Sequence, residues 1–147
     1  MIMNENLFLS FYNDKSKRHA VVEDNGLTAW LYLHLPSNSP KLTGNVYADA
    51  FIFNRESLID ISEVKFYKPN PPPITMKHGH DISICKSPTN HSWSINWSTD
   101  GESILLFKDS TPWCFIAKGD SRGYSKAVKN DGPWGHPWNE IKFNSIF

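Results

Sequence analysis

Apolar and polar residues alternate with a period of two along several stretches of this chain, the pattern of strands that present two different faces. The first stretch runs Lys17-Arg18-His19-Ala20-Val21-Val22-Glu23-Asp24, breaks at Asn25-Gly26, and resumes as Leu27-Thr28-Ala29-Trp30-Leu31-Tyr32-Leu33-His34-Leu35. Asn-Gly between β-rich runs is the preferred two-residue type I′ hairpin turn, because both turn residues take positive φ. In that register Val22 faces Ala29 and Ala20 faces Leu31, which groups them with Leu27, Leu33 and Leu35 on an aliphatic, core-facing side. The opposite side carries Trp30, Tyr32 and His34, across from Val21, His19 and Lys17, with Thr28 opposite Glu23.

A loop rich in Pro, Ser and Asn, 36–44, leads to a second alternating run, 45–53. Val46, Ala48, Ala50 and Ile52 form its small aliphatic side, and Tyr47, Asp49, Phe51 and Phe53 its aromatic side. If this run pairs with 27–35, the resulting sheet has an aliphatic face and an aromatic face, one of which must be covered. Residues 56–67 alternate weakly, and a short helix and a strand both remain open there. Lys68-Pro69-Asn70-Pro71-Pro72-Pro73 cannot lie in a central strand or a helix interior, so 68–73 reads as an extended connector between two halves.

The second half holds another hairpin, 93–99 and 102–108 about Asp100-Gly101, which sets Trp97 against Ile104, Ile95 against Leu106 and Trp93 against Lys108. A further strand is expected over 113–118. The tail from Asp131 contains Gly132-Pro133-Trp134-Gly135-His136-Pro137-Trp138, which argues against regular structure and for two indoles laid over the sheet. These elements predict a mainly β fold with little helix, an antiparallel β-sandwich or strongly bent sheet built from hairpins.

Composition sharpens that picture. The 147 residues suit one domain spanning 1–147, and six Trp, ten Pro and eight Gly favour sheets joined by turns over helices. Fifteen basic and fifteen acidic side chains leave no net charge, so the basic footprint of a nucleic-acid binder is missing. The start of the chain has neither the basic region nor the apolar run of a signal peptide, and no stretch is long enough for a membrane-spanning helix. A cytoplasmic protein is expected, with Cys85 and Cys114 as buried, reduced thiols and no bound cofactor.

Three groups of residues could carry chemistry. His78-Gly79-His80-Asp81 is the most metal-like, since side chains two apart on a strand point the same way; His91, Cys85 or Asp81 would complete the ligand set. Gly119-Asp120-Ser121-Arg122-Gly123 matches the Gly-x-Ser-x-Gly nucleophile elbow, with Asp131 and His136 following in hydrolase order. The elbow must feed a helix packed on a parallel sheet, and this chain lacks the strand-helix alternation for one. The third group is a binding surface: Trp30, Tyr32, His34, His19, Tyr47 and Asp49 on the sheet, with Trp134 and Trp138 in the tail. Large rigid rings beside polar handles are the composition of protein-recognition surfaces, and exposed planar indoles are also how carbohydrate is gripped.

Residues 23–33 (Glu-Asp-Asn-Gly-Leu-Thr-Ala-Trp-Leu-Tyr-Leu) and 46–54 (Val-Tyr-Ala-Asp-Ala-Phe-Ile-Phe-Asn) resemble a class of small uncharacterised bacterial proteins. Gly123-Tyr124-Ser125-Lys126-Ala127 and Asp131-Gly132-Pro133-Trp134-Gly135 add to the likeness. The resemblance implies a stand-alone bacterial domain and transfers no activity. The expected function is non-catalytic binding of another protein, an immunity protein that neutralises a toxin being the concrete form. The alternatives are a small metal-dependent or serine hydrolase and a carbohydrate or small-ligand binding module.

Overall fold

The computed structural model describes residues 5–39 and 46–147. Residues 40–45, which include part of the expected loop and the first residue of the second alternating run, lie outside that description, as do residues 1–4. The fold is mainly β, as expected, and consists of two sheets. The first contains β1 (Phe8–Asn13), β2 (Arg18–Asp24), β3 (Thr28–His34) and β4 (Val46–Asn54) in that order, each antiparallel to its neighbour. The second contains β5 (Trp93–Trp97), β6 (Ile104–Lys108), β7 (Thr111–Ile116), β8 (Tyr124–Ser125) and β9 (His136–Pro137), antiparallel except for the short β8–β9 pair.

The β2–β3 connection differs from the expected two-residue turn. Asp24 pairs with Ala29 and Val22 with Leu31, so residues 25–27 connect the two strands and the register is displaced by two. Side chains explain the wider turn: Asp24 Oδ1 accepts the Gly26 N–H, Asn25 Oδ1 accepts those of Leu27 and Thr28, and the Asn25 N–H donates to the Thr28 carbonyl. Such Asx-type bonds compete with the tighter turn. A slip of two leaves every side chain on its expected face, because the strand period is two. Leu27, however, is carried out of the core into the loop and stands exposed. The β5–β6 register is the expected one, Trp97 on Ile104, Ile95 on Leu106 and Trp93 on Lys108.

The aliphatic face of the first sheet meets the inner face of the second. Ala20, Val22, Leu31, Leu33, Ala48 and Ala50 share one buried cluster with Ile104, Leu106, Cys114 and Ile116. β4 crosses the second sheet: Asp49 exchanges backbone hydrogen bonds with Ser121 and Gly123 ahead of β8, the Trp113 indole of β7 donates to the Ile52 carbonyl at 2.9 Å, and Phe53 rests on Trp93 of β5. Gly123 is required at this crossing, since a Cβ there would run into Ala50 and the Phe115 carbonyl. Both cysteines are buried and free, and burial pushes both thiols up.

The stretch left open at 56–67 contains a 3₁₀ helix, Ile61–Tyr67. It starts at a capping box in which Asp60 accepts the Ser62 N–H and Glu63 accepts the Asp60 N–H. The proline-rich run follows it and, with a cis Lys68-Pro69 bond, lies inside the long crossing from β4 to β5. A buried ion pair anchors the start of that crossing: Arg55 Nη1 donates to Asp24 Oδ2 at 2.8 Å, and the same oxygen accepts the Leu7 N–H.

The tail is more regular than its glycines and prolines suggest. His136 and Pro137 pair with β8, and a C-terminal helix, α1 (Glu140–Ile146), starts where Asn139 accepts the Lys142 N–H. The Gly-Pro-Trp-Gly-His-Pro cluster ends at residue 137, and the sequence beyond it carries no breaker. The helix lies over the outer face of the second sheet, where Phe115, Leu105 and Ala117 pack with Trp138, Phe143, Ile146 and Phe147.

Candidate binding face

The outer face of the first sheet is built from rows of residues aligned by strand pairing. Phe8, Glu23, Trp30 and Phe51 form one row, and Ser10, Val21, Tyr32 and Asp49 the next. Beyond them, Tyr12 pairs with His19 and His34 with Val46. Burial changes steeply across the face. Phe51 is fully buried and Trp30 nearly so, with the two rings T-shaped at 5.2 Å. At the other extreme, Phe8 is 64% exposed, Val46 52% and Tyr12 43%. Between them lies a shallow depression of about 480 Å³ lined by Phe8, Val21, Glu23, Tyr32, His34 and Val46.

The electrostatics follow from partial burial. The Tyr32 hydroxyl is pushed up to about 12, first by burial and then by the Glu23 and Asp49 carboxylates, so it stays a neutral hydrogen-bond donor throughout the physiological range. His34 is held below the ordinary imidazole range by burial and by His19. Burial raises Asp49, against the pull of Arg122. The floor is therefore aromatic with a neutral hydroxyl, and Glu23 stands at its rim. That arrangement can hold a large apolar side chain and satisfy a polar neighbour, which is what a recognition surface needs.

Several residues singled out in the sequence do not belong to this face. Trp30 is part of the core rather than a contact residue, and its buried Nε1 has no hydrogen-bond partner among the described residues. A bulge between Leu33 and His34 takes Tyr47 out of the alternation, and its ring lies under the Arg18 guanidinium at 4.9 Å. Arg18 is itself fixed by Glu102 at 2.7 Å and by the His34 carbonyl. Trp134 is also buried, its indole donating to the Pro72 carbonyl and its ring 5.0 Å from that of His78. Trp138 is half-buried and T-shaped on Phe115, with the Lys126 ammonium over it. His19, Tyr32, His34 and Asp49 stay together.

The expected metal ligands are dispersed by local geometry. His78 and His80 are in a turn and at the start of a 3₁₀ helix rather than on a strand, so the same-side argument fails for them. His78 is buried, with Nδ1 on Thr75 Oγ1 at 2.7 Å, and burial and Lys77 lower its proton affinity; His80 is exposed. His91 pairs with Asp109 at 2.6 Å. Among the described residues no three His, Cys, Asp or Glu side chains are grouped as metal ligands would be. The Gly119–Gly123 segment joins β7 to antiparallel β8 instead of opening a helix, so it is a hairpin connection, not an elbow. His136 is oriented by Asp131 at 2.6 Å and lies on the Tyr124 ring, and Ser121 makes no side-chain hydrogen bond to it.

The sequence matches no protein-family model, no curated protein and no solved structure. The residues of this face that the sequence did not reveal are Phe8, Tyr12 and Val46. Phe8 and Tyr12 belong to β1, where Leu7-Phe8-Leu9-Ser10-Phe11-Tyr12 is apolar at nearly every position; the only signal was Ser10 among them, too little to separate an inner from an outer side. Val46 was placed on the aliphatic side, and the bulge moves it to the outer one.

Proposed function

We propose that this chain is a non-catalytic protein-binding domain whose contact surface is the outer face of the first sheet. The observation that supports this reading is the set of exposed or half-exposed apolar side chains Phe8, Val21, Tyr32 and Val46 lining one depression, with Tyr12 exposed on the same strand as Phe8. Large clustered apolar exposure on a sheet is costly to leave in water and marks interaction sites. The partner is another protein, and a toxin neutralised by masking is the specific form we propose.

The test is retention of a partner by tagged protein from its native cells, comparing the wild type with a Phe8→Ser, Tyr32→Ala, Val46→Thr triple variant. One stoichiometric protein retained by the wild type and lost by the variant supports the reading. A partner kept equally by both, or a wild type that retains none, overturns it. For the toxin form, the captured protein should arrest growth when expressed alone, and the wild-type chain, but not the triple variant, should restore growth.

A further inference from the structure

A second surface, sharing no residue with the first, lies where the 3₁₀ helix Ile61–Tyr67 faces the tail. It is a groove of about 450 Å³ with Ile61, Val64, Pro133 and Trp134 as its apolar lining and Lys65 and Lys68 among the residues around it. The helix buries none of its seven residues, although Ile61, Val64, Phe66 and Tyr67 are apolar or aromatic. Val64 packs partly against the core and Tyr67 is half-buried, but Ile61 is 59% exposed and Phe66 74%.

The charges of this segment are sorted. Its two carboxylates, Asp60 and Glu63, cap the helix start, and neither lines the groove. Among the described residues Lys65 and Lys68 form no ion pair, and no carboxylate lines the groove. Lys65 is only 5.4 Å from the centre of the Phe66 ring, which keeps positive charge beside apolar surface. An apolar trough bordered by two lysines is complementary to an apolar side chain flanked by negative charge.

We propose that this groove docks a short acidic segment of a partner protein, with one large apolar side chain of that segment against Ile61, Val64 and Pro133, above the buried Trp134, and its carboxylates on Lys65 and Lys68. The exposed Ile61 and Phe66 extend the apolar strip beyond the groove, which suits a polypeptide occupant. Gly132 supports the wall, because a Cβ there would collide with the His78 imidazole and displace the neighbouring Pro133-Trp134.

The experiment is a nuclear magnetic resonance titration of the ¹⁵N-labelled full-length chain with two synthetic peptides, acetyl-Asp-Glu-Leu-Phe-Asp-Glu-amide and its counterpart with every acid replaced by lysine. The acidic peptide should shift the Trp134 indole N–H resonance, and the basic peptide should leave it in place. Raising the ionic strength from about 0.05 to about 0.5 M should weaken the acidic peptide's binding. The Lys65→Glu, Lys68→Glu variant changes two exposed side chains and, with its fold checked by resonance dispersion, should bind the acidic peptide at least about tenfold more weakly. Lys65→Glu alone should give an intermediate loss. An unmoved Trp134 resonance, equal shifts from both peptides, or shifts confined to the Tyr32 and His34 face would overturn the proposal.

Discussion

Phe115 and Tyr32 are each on the outer side of a strand inside its sheet, yet their surroundings differ. Phe115 is completely buried, with Tyr124, Trp138, Phe147 and Phe143 rings between 4.9 and 6.1 Å away. Tyr32 has one aromatic neighbour among the described residues, Trp30 at 6.4 Å, and opens onto the depression bordered by Phe8 and Val46. The cover of the second sheet comes from its own chain, through Trp138 and α1. Among the described residues no helix plays that part for the first sheet. Two sheets with aromatic outer faces thus end as one closed layer and one layer open over the part around Tyr32, and α1 with Trp138 makes the difference.

The comparison can be broken from the closed side first. Phe115→Ala should cost about 3–5 kcal/mol in urea unfolding, because it leaves a large void at the centre of the aromatic cluster. Phe143→Ala removes one half-buried covering ring and should cost about 1–2 kcal/mol while raising binding of an apolar dye, as the second sheet is uncovered.

Acidification acts on both sides of the molecule. His34 and His78 hold protons less tightly in the fold than in the unfolded chain, so the unfolded state takes up more protons as the pH drops. The stability they lend is complete above the ordinary imidazole range, near pH 6.5, and is lost as the pH falls through their depressed values. Melting temperature should therefore fall between about pH 7.5 and about pH 5. His34→Gln should flatten that slope. The smallest effect belongs to the open face: Phe8→Ser should change unfolding free energy by no more than about 0.5 kcal/mol, because the ring is mostly in water already.

Period-two alternation made β2, β3 and β4 legible, since each has a small aliphatic side that the core requires, and the Asp100-Gly101 turn between alternating runs did the same for the β5–β6 hairpin. The contents of the outer faces were half legible. Tyr32, His34, His19 and Asp49 are on one surface as the alternation implied, but whether a ring on that surface is buried depends on distant segments: Trp30 is taken into the core and Tyr32 left out of it. Tyr47 was lost to a bulge, which the sequence does not mark. The helix at 140–146 was hidden behind the Gly-Pro-rich tail before it, and β1 behind its uniform hydrophobicity. His78 and His80 were misread because spacing on a strand was assumed where the backbone turns.

The central claim is that the open layer, and not the closed one, meets a partner. Its most direct test places a photo-crosslinking amino acid at position 46 or at position 141 in living cells, two exposed apolar sites, the first on the open face and the second on the covering helix. A single discrete adduct from position 46 and none from position 141 is the expected result. No adduct from position 46, or the same adducts from both, would contradict it.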